Sequence, residues 1–113
     1  MKINKEYSPD KWLVIKIEGE KFPLTYKVFA CWYGGYLGAD SWKLNSGIEK
    51  IVKQDNYYLF EGYSGSVYRC HERGYGTNMY GHGALQNIIE KSKKAGVTVE
   101  ILSEDTSWLD IKL

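Results

Sequence analysis

The chain has 113 residues, a net charge of +1, an apolar fraction of 43% and a charged fraction of 26%. This length accommodates one core, so we expect a single domain over residues 1–113. The near-neutral charge indicates neither nucleic acid nor an acidic membrane as a partner. The apolar runs are too short to span a membrane, and the mixed-charge amino terminus does not resemble a signal peptide. A cytoplasmic protein is therefore expected.

The first half of the chain is predicted to consist mainly of strands. Residues 1–10 form a lead-in, and residues 12–18 alternate side chains between two faces as a strand does. Residues 24–33 are rich in β-branched and aromatic side chains, so they form a second strand that pairs with the first as a hairpin. A glycine-rich loop over residues 34–40 leads to a short strand at residues 42–44.

Residues 48–71 are predicted to form a three-stranded meander. Asp55-Asn56 and Ser64-Gly65 each suit a two-residue hairpin turn, because these residue types favour tight turns. Together the two turns fix the cross-strand neighbours, which are Lys50–Glu61, Val52–Leu59, Ile51–Phe60, Leu59–Cys70, Glu61–Tyr68 and Phe60–Arg69. This register gives one apolar row and one pair of opposite charges, a combination that stabilises a sheet.

One helix is predicted, with Thr77 as its N-cap, an end at about Ala95 and Gly96 as the residue that terminates it. The helix starts nearer His82 if the glycines inside the pattern shorten it. Apolar side chains recur at helical spacing and are expected to be buried against the sheet. These residues are Tyr80, Ala84, Leu85, Ile88 and Ile89.

The order of the elements indicates the fold class. Residues 97–102 form the last predicted strand, and residues 108–113 form either a short edge strand or a tail packed on the sheet. Strands clustered before a single helix are typical of an α+β fold. We expect an antiparallel β-sheet of about five to six strands, with one helix from the carboxy-terminal half of the chain packed on one face.

Cys31 and Cys70 are the only cysteines. Cysteines of a cytosolic protein are usually buried as small apolar side chains, so both are expected to be reduced and buried. A disulfide is the alternative. The positions of the two cysteines relative to His71 and His82 do not match the spacing of a zinc-binding motif. No metal or cofactor is therefore expected.

Aromatic residues and glycines are concentrated between Tyr33 and Gly83, a stretch that contains ten of the twelve glycines and eight of the ten tyrosines. Large rings beside flexible corners supply contact area at low entropic cost, which favours recognition surfaces. The two arginines of the chain add planar groups that bind carboxylate or phosphate. The predicted binding residues are Trp32, Tyr33, Tyr36, Trp42, Arg69, Arg73 and Tyr75. The alternative is that the rings are core residues and the arginines lie at a solvated strand end.

Two further patterns offer alternatives. Residues 74–79, Gly-Tyr-Gly-Thr-Asn-Met, precede the helix and are similar to a phosphate loop, whose backbone amides face an anion. They lack the lysine and the last glycine of such loops, so an ordinary strand-to-helix turn is favoured. His71 or His82 would suit a small hydrolase beside a carboxylate, although no spacing in the sequence requires it. The carboxylates considered are Asp40, Glu61 and Glu72.

Three aromatic and glycine-rich blocks resemble small uncharacterised accessory proteins of tailed bacteriophages. The blocks are Trp32-Tyr33-Gly34-Gly35-Tyr36, Trp42-Lys43-Leu44-Asn45-Ser46-Gly47-Ile48 and Tyr63-Ser64-Gly65-Ser66-Val67-Tyr68-Arg69-Cys70. The resemblance covers about residues 32–80 and brings no catalytic residues with it. It implies a protein that acts by binding in the cytoplasm of a host cell.

The leading functional hypothesis is a phage-type binding protein that inhibits a bacterial defence protein, for example a CRISPR effector, through its aromatic and glycine-rich surface. The alternative is a sponge for cyclic or other signalling nucleotides, in which rings stack on a base and arginines hold phosphate. A small hydrolase is the second alternative. The expected partner is thus a bacterial host protein or a nucleotide, and the oligomeric state is left open. A flat aromatic patch would favour the inhibitor, and a concave pocket would favour the sponge.

Overall fold

The computed structural model describes residues 5–34 and 38–113, and within them it shows eight β-strands, one α-helix and one 3₁₀ turn. The elements are β1 Glu6–Tyr7, β2 Lys11–Gly19, β3 Phe22–Trp32, β4 Ser41–Leu44, β5 Ile48–Gln54, β6 Tyr57–Gly62, β7 Val67–His71, α1 Met79–Lys94, β8 Val97–Ile101 and the 3₁₀ turn Trp108–Asp110. One sheet has the strand order β1-β7-β6-β5 and is called here the outer sheet. The other has the order β4-β3-β2-β8 and is called the central sheet. Within the described ranges, no helix is long and apolar enough to cross a bilayer.

The central sheet is covered on both faces, which explains the continuous apolar run from Trp12 to Ile15 in β2. Successive side chains of a strand point to opposite faces. Trp12 and Val14 pack toward the outer sheet, whereas Leu13 and Ile15 pack toward α1. The predicted α+β class, with one helix on one face of an antiparallel sheet, is confirmed. The division of the strands into two sheets differs from the single sheet expected, because periodicity within a strand does not show which strands it pairs with.

The core between the two sheets is built around Trp12. Its ring centroid lies 4.8 Å from that of Tyr75, 5.3 Å from that of Phe60 and 5.4 Å from that of Trp108. Trp108 belongs to the 3₁₀ turn and is buried between the sheets. The carboxy-terminal segment is therefore a tail packed on the core, one of the two arrangements that the sequence left open.

Helix α1 differs from its prediction at its start and in one buried residue. Asn78 is the N-cap in place of Thr77, since its Oδ1 accepts a hydrogen bond from Gly81 N at 2.7 Å. The helix begins at Met79, so the later start near His82 is wrong. Leu85 is buried, as predicted, whereas Ala84, Ile88 and Ile89 are half-buried against the central sheet. Tyr80 is 57% exposed, so its predicted burial is wrong.

The meander has the predicted first turn and a different second turn. Lys50 pairs with Glu61 and Val52 with Leu59, which confirms the turn at Asp55-Asn56. The second loop spans residues 63–65, because Gly62 N donates to Ser66 O and Gly65 takes a left-handed φ of 91°. This is the three-residue hairpin loop, one residue longer than expected. The predicted pairs Leu59–Cys70, Glu61–Tyr68 and Phe60–Arg69 are therefore wrong, and the observed pairs are Leu59–Arg69, Glu61–Val67 and Phe60–Tyr68.

Part of the predicted lead-in forms a strand, while residues 1–4 of it lie outside the described residues. Glu6 and Tyr7 pair in parallel with β7, and the Tyr7 ring packs 5.0 Å from that of Tyr68. Both cysteines are free and buried, as predicted. Cys31 faces α1 and Cys70 faces the core between the sheets, so the two thiols lie in different cores. Burial raises the pKa of both thiols, because a thiolate would lose its hydration.

Candidate binding surface

The face of the outer sheet that points away from the central sheet is called here the open face. The strand registers place three rows of side chains on it, which are Glu6–Val67–Glu61–Lys50, Arg69–Leu59–Val52 and His71–Tyr57–Gln54. None of these side chains is buried, whereas Phe60, Tyr68 and Cys70 on the opposite face of the same sheet are 1% exposed or less. Among the residues that the structure describes, this sheet therefore has one face in the core and one face in solvent.

Arg69 and Tyr57 form the centre of the open face. The guanidinium carbon of Arg69 lies 3.6 Å from the centroid of the Tyr57 ring, a distance at which cation and ring attract each other. Arg69 Nε is 3.9 Å from Glu6 Oε1, which is too long for a hydrogen bond. A guanidinium stacked on a ring still presents its N–H groups in its own plane. The Tyr57 ring therefore orients the Arg69 guanidinium, whose N–H groups can pair with a carboxylate from outside the chain.

His71 extends the aromatic part of the open face. Its ring meets the Tyr57 ring edge-on, with centroids 5.0 Å apart and an interplanar angle of 88°. Its Nδ1 accepts a hydrogen bond from Arg73 N at 3.1 Å, and its carbonyl accepts one from Trp12 Nε1 at 2.7 Å. These contacts fix the ring at the end of β7. Arg73 itself is exposed in the turn that follows.

Two of the three candidate carboxylates, Glu72 and Asp40, have other contacts. Glu72 Oε2 pairs with Lys53 Nζ at 2.7 Å, and this pair raises the pKa of Lys53 and lowers the pKa of Glu72. Asp40 Oδ1 accepts a hydrogen bond from Gly34 N at 2.9 Å. Over residues 5–34 and 38–113, neither His71 nor exposed His82 forms an ion pair with a carboxylate. In the same ranges, no three His, Cys, Asp or Glu side chains are grouped as metal ligands.

Of the described aromatic residues near the glycine-rich loop, Tyr33 and Trp42 are exposed and one is half-buried. Trp32 is half-buried, and its Nε1 donates to Ser8 O at 3.0 Å. Trp42 stacks on buried Phe29 on the helix side of the central sheet, with centroids 5.3 Å apart. Tyr33 is exposed, and its backbone N donates to Asp10 Oδ2 at 2.8 Å. Tyr36 lies outside the described residues.

Tyr75 belongs to the core and not to a surface. Its hydroxyl accepts a hydrogen bond from Val14 N at 3.2 Å and donates one to the carbonyl of Leu102. Its ring packs against Trp12 and Trp108. Burial raises the pKa of Tyr75 to about 12. The side chain joins β2 to the segment after β8, so neither its ring nor its hydroxyl is free to bind a partner.

The six predicted binding residues that the structure describes do not form one surface. Arg69 lies on the open face with Arg73 at its end, whereas Trp42 lies beside α1 on the opposite side of the three layers. Tyr57 and Leu59 are not among the predicted binding residues, although Tyr57 contacts Arg69 and Leu59 is its cross-strand partner on the open face. The Tyr63-Ser64-Gly65 loop is the sequence feature that could have indicated them. A loop of three residues sets a register in which Arg69 lies on the same face as Tyr57 and Leu59.

Three cavities in the described ranges lie away from the open face. One lies between the β2–β3 turn and Gly96, one between α1 and β8, and one at the start of α1 beside His82. None of the three is lined by a tryptophan, a tyrosine or an arginine. No protein family, curated protein or solved structure matches the chain.

Proposed function

We propose that the chain is a small, non-catalytic binding protein whose open face docks on a partner protein. The observation that carries the proposal is the contact between Arg69 and Tyr57 in the middle of an uncovered sheet face. Arginine and tyrosine are enriched among the residues that dominate binding energy at protein interfaces. Leu59 and Val52 lie in the same row as Arg69, and they supply apolar area beside it.

A protein partner suits this surface better than a nucleotide does. Small ligands are usually bound in concave sites that enclose most of their area. The open face is the solvent side of a four-stranded sheet, and the three cavities described above contain no arginine and only two aromatic rings, those of Phe22 and His82. A sheet face with a stacked arginine, apolar neighbours and charges at its rim favours a large, complementary surface.

The resemblance to phage accessory proteins supports a bacterial host protein as the partner. An inhibitor of a bacterial defence protein, such as a CRISPR effector, is therefore the first activity to test. An inhibitor of this kind needs no catalytic group, only a surface that covers a functional part of its target. The Arg69 guanidinium favours a target whose surface presents a carboxylate.

Affinity capture from a bacterial lysate tests the proposal when it is run with matched variants. The wild type, Arg69→Glu and Lys91→Glu are immobilised, and retained proteins are identified by mass spectrometry. Both variants reverse one charge, but Lys91 lies on the solvent side of α1, away from the open face. We expect a protein that the wild type and Lys91→Glu retain and that Arg69→Glu loses. Equal retention by all three would contradict docking through the open face.

A further inference from the structure

Strand β8 differs from the other strands at the sheet edges. Unpaired edges tend to join other strands, so proteins shorten them, bend them or place lysine and proline in them. β1 has two residues, β4 has four and contains Lys43, and β5 contains Lys50 and Lys53 with a register shift near its start. β8 has the sequence Val-Thr-Val-Glu-Ile, with a regular register and neither lysine nor proline.

The backbone of β8 presents unpaired groups to solvent. Leu102 N donates to Val14 O, so the even-numbered residues of this segment form the hydrogen bonds with β2. In an antiparallel pair these bonds alternate along the strand. The N–H and C=O groups of Val97, Val99 and Ile101 therefore point away from β2. No strand lies beside them in the part of the chain that the structure describes.

We propose that β8 pairs with β8 of a second copy of this chain, antiparallel around a two-fold axis at Val99. In this register Val99 faces Val99 of the second copy, and Val97 faces Ile101 of the second copy. Each such pair can exchange two N–H···O bonds, because these residues carry the free outward groups. Thr98 faces Glu100 of the second copy, so no two like charges are opposed. The strand is thus complementary to itself on both faces.

The groove beside β8 fits the apolar side chains that such a second strand would bring. It has a volume of about 380 Å³ and is lined by Ile89, Lys93, Val97 and Val99, among others. Val97 and Val99 face α1, so the corresponding residues of the second copy would lie on the same side and fill the groove. Lys93 lies near the Val97 end. A two-fold axis at Val99 therefore places the two lysines at opposite ends of the interface.

The inference goes beyond the proposed function and does not depend on it. β8 is in the central sheet, whereas the open face belongs to the outer sheet. Pairing through β8 leaves both open faces exposed, so the dimer would present two copies of the binding surface. Two linked binding surfaces raise the effective affinity for a target that carries two or more copies of the same binding site.

Charge substitutions in β8 test the proposed register by sedimentation over a concentration series. Within one chain Thr98 faces Glu18, and Glu100 faces Lys16, so each variant also changes one internal pair. Thr98→Lys places its lysine opposite Glu100 of the second copy and should tighten the dimer. In Glu100→Lys the new lysine faces Thr98 of the second copy, so the dissociation constant of the dimer should stay within a few-fold of the wild-type value. The double variant opposes lysines at two positions and should raise the dissociation constant about tenfold or more.

A backbone variant supports the same test without added charge. Val99→Pro removes an N–H that forms no hydrogen bond within the described residues, and edge strands tolerate proline where the N–H faces solvent. We expect it to remain folded by circular dichroism and to be monomeric, which keeps the test valid if the double variant unfolds. A wild type that stays monomeric at every concentration would overturn the proposal. The proposal would also be overturned if the double variant had the same dissociation constant as the two single variants. A Val99→Pro protein that still forms the dimer would overturn it as well.

Discussion

Arg69 and Tyr57 lie in contact on the open face, with the guanidinium carbon 3.6 Å from the ring centroid, although neither is the direct cross-strand partner of the other. Arg69 pairs with Leu59, and Tyr57 pairs with His71, so the two residues are diagonal neighbours on adjacent strands. Diagonal neighbours are within reach of aromatic and long side chains. The contact exists only in the observed register, since a slip of one residue would turn Arg69 to the other face.

The close approach of α1 to the central sheet depends on Gly81. A Cβ added there would collide with Cys31 Sγ and lie 2.9 Å from Asn78 Oδ1. Gly81→Ala should lower the free energy of unfolding by about 1–3 kcal/mol, the usual range for overpacking a core. Gly83→Ala is the control, because a Cβ there meets nothing within 4 Å. It should stabilise the helix by about 0.5–1 kcal/mol. Denaturant unfolding measures the stability change of each variant. Equal changes for Gly81→Ala and Gly83→Ala would contradict the close packing at Gly81.

The Tyr75 hydroxyl should contribute to stability because it bonds to two backbone groups inside the fold. Tyr75→Phe removes the acceptor for Val14 N and the donor to the Leu102 carbonyl. We expect a loss of about 1–3 kcal/mol in the free energy of unfolding, since buried polar groups are left without partners. Tyr63→Phe deletes the same atom from a ring that is 58% exposed, and it should change stability by less than about 0.5 kcal/mol. A Tyr75→Phe protein as stable as the wild type would contradict this role.

Stability should fall at high pH through Tyr68 and Tyr75. Burial raises the pKa of each to about 12, whereas an exposed tyrosine titrates near 10. Between these values the folded chain binds more protons than the unfolded chain, so the free energy of unfolding decreases as pH rises. The contribution is fully present below about pH 10 and is lost as pH rises toward about 12. Phenolate absorbance should show two late-titrating tyrosines, and titration of all tyrosines near pH 10 in the folded protein would be inconsistent with burial.

Leu85 and Tyr80 should contribute very differently to the free energy of unfolding, although the sequence pattern places both on the apolar stripe of α1. Leu85 is fully buried between α1 and the central sheet. Leu85→Ala should cost about 2–5 kcal/mol, as large aliphatic core deletions do. Tyr80→Ala should leave the unfolding midpoint nearly unchanged, because most of its ring is in solvent. Comparable losses in the two variants would show that Tyr80 is a core residue.

Much of the fold could be predicted from local patterns. The first meander turn, the termination of α1 near Gly96 and the burial of Leu85 follow from turn residues and helical periodicity. The division into two sheets could not be predicted, because it depends on which strands pair across long separations. The burial of Trp108 between the sheets has the same cause, since nothing in its own segment indicates which core it enters.

The composition of the open face could be predicted only in part. Arg69 and Arg73 stood out as the only arginines of the chain, and both lie at the open face or at its end. The sequence does not indicate Tyr57 as a neighbour of Arg69, because the length of the loop that follows its strand β6 decides whether Arg69 lies on the same face. The glycines beside Tyr75 predict a surface position, whereas its hydroxyl forms hydrogen bonds inside the fold. The length of one loop, one buried hydroxyl and the position of Trp42 beside α1 thus separate the predicted binding residues from the open face.

The affinity of the captured partner for single alanine variants tests the open face most directly. Tyr57→Ala and Arg69→Ala should each weaken binding by about tenfold or more, while thermal stability changes little, as expected of interface residues that dominate affinity. Trp42→Ala serves as the competing variant, because Trp42 was predicted from sequence to bind and lies on the opposite side of the layers. We expect Trp42→Ala to bind like the wild type once its folding is verified. Normal binding by Tyr57→Ala and Arg69→Ala, together with loss of binding by a folded Trp42→Ala, would contradict the account.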